Sequence, residues 1–455
     1  MSDALLNSLF SADAVTEQTD DHAWLTALLD VEAALARAGA RAGIIPAAAA
    51  ETITRYAVAE RFDAADLGRA AVASTTPVVP LVRALAAALP PAAADHVHSG
   101  ATSQDIIDTA MCLVARRATA PIMDDLVAGA ESVAGLAATY RSTPQVGRTL
   151  LQEASPTSFG LVCTGWLIEL DEAAAWLARV RDQRLTVQFG GAVGTMAALG
   201  ADGADGIRVA ALLAEELGLP DQRVPWHTGR GRISELACAL GTVAGALATV
   251  ALDVTLLAQT EIREVSEGSP GGSSTLPGKR NQSRSVLITA CAHRVPGMVS
   301  TILAGQPQAL QRSAGRWQAE WQTITQLLRL VGAAAAHHRE LVASVTVDPR
   351  RMLANLQRSE GSVMSESIAV RLAGWVGRPR ANELVAAAAA RAMADGVPLA
   401  EAIRGEPRIS AVLPESDLAG ALRPEEYLGA AATLVETALT NHRAFMNAQQ
   451  GMGVA

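Results

Sequence analysis

The sequence predicts an all-α fold. Half of the 455 residues are hydrophobic yet only 3% are aromatic, so the apolar content is Ala, Leu and Val, two of which favour helices. Amphipathic Ala/Leu patterns dominate, and alternating β-branched runs are absent. A chain of this length buries a large core and divides into more than one structural unit. Taken in order, Thr102 with Asp105 three residues on forms a capping box that opens a helix reaching about Tyr140. Pro144 marks a turn, and a second helix is expected from Pro156 to Val180. A long apolar helix follows from Gly231 to about Val265. Beyond a glycine-rich break, Ser283–Arg294 and Ala304–His338 read as helical, interrupted near Pro296. Pro349 and Pro379 punctuate a C-terminal part whose shorter helices, such as Asn382–Ala394, suggest a small separate domain.

The net charge of −9 argues against nucleic acid or an acidic membrane as partner, although local cations still decide whether an anionic substrate binds. Cys112, Cys163, Cys238 and Cys291 are scattered and read as buried, reduced thiols of a cytoplasmic protein. Met1-Ser-Asp-Ala lacks the basic region of a signal peptide. The uncharged run Leu236–Leu252 is at the short limit for a membrane span, and no second hydrophobic segment is expected beside it. A helix apolar on all sides fits the centre of a large bundle, where it needs partners on several sides.

The segment Gly268-Ser-Pro-Gly-Gly-Ser-Ser-Thr-Leu-Pro-Gly-Lys-Arg-Asn281 combines four glycines, four hydroxyls, two cations and an amide. Such a composition suits a lid that carries a reactive hydroxyl and carboxylate-binding donors to a substrate, rather than a plain connector. It is not a P-loop, because Ser273 stands where the first glycine belongs and Arg280 follows Lys279. It is not a dinucleotide fingerprint either, since Glu261–Glu267 reads as a polar helix end rather than a strand.

The segment resembles the Gly-Ser-Ser-x-x-Pro-x-Lys-x-Asn loop of the fumarase/aspartase superfamily. His98–Thr109 (His-Ser-Gly-Ala-Thr-Ser-Gln-Asp-Ile-Ile-Asp-Thr) resembles that superfamily's first active-site region, and Gly147–Ser158 its second, all in the expected order. The resemblance implies a three-domain helical fold with a central bundle, here 1–109, 110–350 and 351–455. It also implies a homotetramer whose active sites are each shared between three subunits, with no organic cofactor.

The chemistry implied is removal of a proton α to a carboxylate, giving an aci-carboxylate dianion, and loss of a β substituent. Ser273 matches the general base, which can work only if loop amides and Lys279 stabilise its alkoxide. Lys279 and Asn281 match the residues that hold the developing dianion, beside Ser274. Thr102, Ser103, Thr149 and Gln152 match carboxylate-binding positions, with Ser99 next to them. As an alternative reading, Thr102 serves only as a cap and Gln152 as a solvated residue.

Relatives that expel an amine carry His at the position of Leu150, where a positioned acid assists the leaving nitrogen. A carboxylate leaving group, with a conjugate acid near roughly pKa 4, needs none. His98 remains as a proton donor. Around the motifs, His98–Asp105, Phe189–Thr195, Pro225–Thr228 and Arg316–Trp321 resemble bacterial 3-carboxy-cis,cis-muconate cycloisomerases, enzymes of protocatechuate breakdown. A tricarboxylate substrate then calls for extra positive field from Arg148, Arg230, Arg232 and Arg284, unless these are ordinary surface charges. Gly278 and Gln282 depart from the common cycloisomerase loop, which has His and Pro there. The alternatives are a lyase expelling another stable anion such as nitrite, an adenylosuccinate lyase-like enzyme, or an inactive homologue. The eight histidines show no HExxH pattern, and adjacent His337 and His338 point about 100° apart on a helix, so no metal is expected.

Overall fold

The computed structural model describes residues 4–452. Their contacts form two compact units, one from the described residues up to Leu126 with Ala173–Leu247 and Leu287–His337, the other from Val127–Glu172, Ala248–Val286 and the described residues from His338 on. The long helices Ser103–Thr139, Phe159–Gln183, Gly231–Leu257, Ser283–Gly305 and Gln318–Ser344 each contribute residues to both. The all-α class holds.

In the first unit the Asp21–Arg41 helix is capped by Asp20, whose Oδ1 accepts from the Ala23 amide at 2.8 Å. Leu25, Leu28, Leu29, Val31 and Leu35 form its buried stripe. Its solvent-side arginines bind the end of the Ala204–Leu217 helix, Arg37 to Glu216 at 2.7 Å and Arg41 to Glu215 at 2.6 Å. The capping-box half expected at Thr102 is present, with the Thr102 amide donating to Asp105 Oδ2 at 3.0 Å.

In the second unit the segment expected to turn and then enter a helix at Pro156 is a β-hairpin, Pro144–Thr149 paired antiparallel with Gln152–Ser158. A register shift after Val146 leaves Ser155 as a bulge, and Gly147 allows it, because a Cβ there would collide with the Ser155 carbonyl oxygen. The turn is the dipeptide Leu150–Leu151, with φ of 53° and 62°. Positive φ at both central residues is what a two-residue primed hairpin turn demands. The helix then starts at Phe159. Further on, Leu372, Leu384, Val385, Leu399, Ile403 and Leu418 belong to a hydrophobic cluster of the C-terminal residues alone.

Three expectations are corrected. The apolar helix stops at Leu257, and Val265–Ser266 pairs instead with Thr346–Val347. Pro296 does not interrupt Ser283–Gly305, because the proline lies on an exposed face where the lost N–H costs little. Residues 306–317 are not helical, since Pro307 and Gly315, with φ of +88°, break the pattern before Gln318.

Gly231–Leu257 and Ser283–Gly305 are both long and apolar enough to cross a membrane by composition, with mean hydropathies of 1.8 and 1.4, so the first does have a companion. Half of the first helix's most apolar window is buried within the chain. Its Thr242, Gly245, Thr249 and Leu252 remain exposed at helical spacing.

Candidate functional site

In the first unit three loops converge on Asp105, in the first turn of the Ser103–Thr139 helix and fully buried. Its carboxylate accepts from the amides of Thr102 and Gly191 (3.0 and 2.9 Å) and from Gln188 Nε2 (3.2 Å), and its Oδ1 lies 2.7 Å from His227 Nε2. The segments Phe189–Thr195 and Pro225–Thr228, singled out in the sequence, are thereby brought to the first motif. Gly100, at φ +76°, packs where a Cβ would strike Leu199. Thr102 Oγ1 accepts from Arg312 Nη1 at 2.6 Å, and Arg312 Nη2 reaches the Ala192 carbonyl at 3.0 Å. Ser99 and Ser103 flank Thr102 and are partly exposed.

His98 has a left-handed φ of 60° and sets Nδ1 2.7 Å from Glu32 Oε1. Burial opposes charging the ring, but the charge and hydrogen bond of Glu32, helped by Asp105, outweigh it and hold His98 above the ordinary histidine range.

In the second unit Glu264, 0% exposed, anchors the hairpin. It accepts from Gln145 at 2.7 Å, from both terminal nitrogens of Arg148 at 3.0 and 2.7 Å, and from Asn355 at 2.7 Å. At the other end of the hairpin Thr149 and Gln152 are cross-strand partners, both exposed, under Leu150 and Leu151.

The glycine-rich loop is closed at its base by two backbone bonds of 2.9 Å between Gly271 and Asn281. Asn281 Nδ2 donates to the Gly272 carbonyl at 3.0 Å. Glu267, buried, accepts from the amides of Arg284 and Ser285 at 3.1 and 2.9 Å, so one carboxylate ties the loop's start to the N-terminus of the helix that follows it. Within the loop Ser273 Oγ accepts from two amides, Thr275 N at 3.2 Å and Leu276 N at 3.0 Å. Both bonds favour the anionic form of the hydroxyl; they also form a local serine turn. Ser274 and Lys279 are exposed.

Residues 9–297 match the family described as Lyase, and residues 361–438 the one described as Adenylosuccinate lyase C-terminus. The chain belongs to the fumarase/aspartase superfamily. Among superfamily members it is 42% identical to a 3-carboxy-cis,cis-muconate cycloisomerase of Pseudomonas aeruginosa, covering 98% of each chain. It is 40% identical to a nitrosuccinate lyase of Streptomyces davaonensis, over 96% of this chain and 94% of the other. The crystal structure of 3-carboxy-cis,cis-muconate lactonizing enzyme from Pseudomonas putida superposes with a TM-score of 0.92 at 39% identity, over 98% of this chain and 100% of that one.

As a superfamily enzyme the chain arranges its arginines differently from the expectation. Arg230 is not a free source of positive field: it is buried and bound to Asp108 (2.7 and 3.0 Å) and to Glu320 (3.1 Å). Two acids, Asp108 and Glu320, share this one base, and burial pushes Glu320 up against the pull of Arg230. Arg284 is ion-paired with Glu340. Arg148 is committed to Glu264. Arg232 donates to Thr186, stacks 4.8 Å from the centre of the Trp226 ring and is held below the usual arginine range by burial. No carboxylate among the described residues pairs with Arg232 or Arg312. Sequence reasoning passed over Arg312, Glu32 and Glu264. The local signal for Arg312 was a cation in a Gly/Pro-broken stretch; a lone Glu on an aliphatic stripe pointed to Glu32.

Proposed function

We propose that this chain is a 3-carboxy-cis,cis-muconate cycloisomerase acting through an aci-carboxylate intermediate. The observation that carries the chemistry is Ser273 Oγ accepting two loop amides, which is the support an alkoxide needs. The substrate is carried by the names of the relatives and by Leu150, which leaves no acid beside the leaving group. In the lactonising direction a substrate carboxylate oxygen adds to the conjugated alkene and forms the C–O bond. The π pair moves onto the neighbouring carboxylate as an aci dianion, held by Lys279 and Asn281. The Ser273 hydroxyl then gives its proton to the α carbon, and the alkoxide left behind rests on the amides of Thr275 and Leu276 until solvent reprotonates it. Run backwards, the same steps are a β-elimination. Thr102, Ser103, Thr149, Gln152, Ser99 and Ser274 bind the carboxylates, His98 presents a proton, and Arg232 adds positive field, while Arg148 holds the hairpin through Glu264.

The proposal includes a cytoplasmic homotetramer with domains 1–109, 110–350 and 351–455, in which three subunits supply the first motif, the hairpin and the loop of each site. The exposed stripe Thr242, Gly245, Thr249 and Leu252 on an apolar helix that is elsewhere buried or half-buried supports assembly. A second reading, elimination of nitrite from nitrosuccinate, is favoured by the 40% identity to a nitrosuccinate lyase and by the departures at Gly278 and Gln282. An ultraviolet assay with 3-carboxymuconate, its lactone, nitrosuccinate and adenylosuccinate separates the readings. Fastest turnover of 3-carboxymuconate is expected. Equal or faster turnover of nitrosuccinate replaces the first reading with the second, and rapid adenylosuccinate cleavage removes the argument from Leu150.

A further inference from the structure

Glu32 stands on the buried stripe of the Asp21–Arg41 helix, among Leu28, Leu29, Val31 and Leu35, and is 1% exposed. A carboxylate there is expensive unless its lone pairs are used. Only one of the two oxygens has a partner. Oε1 meets His98 Nδ1 at 2.7 Å, whereas Oε2 is buried with no hydrogen-bond partner. An apolar residue of similar volume would fill the stripe without that penalty, so packing does not account for the acid.

The hold on His98 does account for it. The histidine backbone is in the left-handed region and its carbonyl accepts from the Ala101 amide at 3.2 Å, so the main chain aims the ring toward the helix. The second ring nitrogen, Nε2, has no partner among the described residues, and the side chain is 19% exposed. A carboxylate on one imidazole nitrogen accepts that nitrogen's hydrogen, so the neutral ring turns a bare nitrogen outward and the charged ring, which the carboxylate favours, turns an N–H outward. The charges that act on His98 come from Glu32 on the helix packed against it and from Asp105 on the Ser103–Thr139 helix, itself bonded to His227.

We propose that Glu32 is the positioning residue for His98: by accepting Nδ1–H it locks the ring and favours the imidazolium, whose Nε2–H is directed outward as the donor met by a substrate carboxylate. This rests on the reading of His98 as the group that presents a proton in the reaction. Glu32 itself touches no substrate.

Glu32→Gln keeps the volume and replaces the acceptor with an amide; Glu32→Asp keeps the charge; His98→Asn removes the ring. Each is made in the full chain, checked for folding by circular dichroism, and measured for kcat and KM with 3-carboxymuconate across pH. The protonation midpoint of His98 is read separately, from deuterium exchange at its ring Cε1–H followed by peptide mass spectrometry. Expected are a His98 midpoint above that of an exposed histidine in the unaltered protein and a fall of about one pH unit in Glu32→Gln. With it, kcat/KM should fall about 10- to 100-fold, with partial recovery in Glu32→Asp. An unshifted midpoint in Glu32→Gln overturns the proposal, whether or not activity falls, because loss of activity alone is what a structural role would give. If Glu32→Gln does not fold, an unraised midpoint in the unaltered protein overturns it. Full activity of His98→Asn alongside a shifted midpoint keeps the pairing but removes the functional reading of His98, and the proposal falls with that reading.

Discussion

His338 gives the molecule an acid-sensitive weak point whose size follows from its surroundings. It lies in the Gln318–Ser344 helix, 0% exposed, and neither ring nitrogen has a hydrogen-bond partner. Gly129 makes the fit possible, because a Cβ there would strike Nδ1. Burial pushes the ring down to about 4 from 6.5, so the folded protein holds it neutral while the unfolded chain protonates it as pH falls. Stability from this group is therefore complete above 6.5 and is lost progressively as pH falls toward 4. With those two values the loss between about pH 7.5 and about pH 5 is about 2 kcal/mol. Replacing His338 with Leu should abolish this component and also remove an unsatisfied buried N–H, a gain of about 1–3 kcal/mol at neutral pH before the small change in packing. The assay is urea unfolding at both pH values and one fixed subunit concentration, comparing the two proteins. His98 works in the opposite sense, since a raised histidine stabilises below its unfolded value and loses that contribution as pH rises, but it is common to both proteins and cancels in the difference. If His338→Leu lost as much stability between the two pH values as the unaltered protein, the buried-neutral assignment would be refuted.

Ser273→Ala should lower kcat by about two to four orders of magnitude with binding of a substrate analogue nearly unchanged, measured by steady-state kinetics and calorimetry. Ser274→Ala should cost less, and near-normal turnover of Ser273→Ala would remove the base assignment. Gly147→Ala should destabilise the hairpin by about 1–3 kcal/mol, because the new methyl has only the Ser155 carbonyl to displace; an unchanged unfolding midpoint would contradict the bulge geometry. Inactive Ser273→Ala and Thr149→Val subunits, dissociated and reassembled together, should regain part of the activity as tetramers by light scattering. Mixed tetramers without recovered activity would count against sites shared between subunits.

Much of this was legible from local chemistry. The Thr102–Asp105 spacing places the start of a helix within one residue of Ser103, and the apolar run at 236–252 lies within Gly231–Leu257. The hairpin was not legible, because Gly147–Ser158 has neither alternation nor an Asn-Gly turn. Its fold is decided from a distance, by Glu264 more than a hundred residues on, which binds Gln145 and Arg148. The same limit explains the arginines: charge counting finds Arg230 and Arg284, but only the fold reveals that Asp108, Glu320 and Glu340 already hold them. Within the loop the bonds are closer in sequence, Ser273 Oγ accepting from the Leu276 amide three residues on and Asn281 donating to the Gly272 carbonyl nine residues back, yet the residue types alone did not show either.

The hairpin also divides into a part that resists change and a part that invites it. Its base is locked by the Gly147 bulge and the buried Glu264, while Leu150, 96% exposed, meets no demand except the turn. Leucine is a poor choice for positive φ, so Asn or Gly there would relax the backbone rather than disturb it. A family that keeps such a pedestal can exchange the residue at its summit in a single mutational step without endangering the scaffold. Selectivity among leaving groups would then drift faster than the fold that carries it.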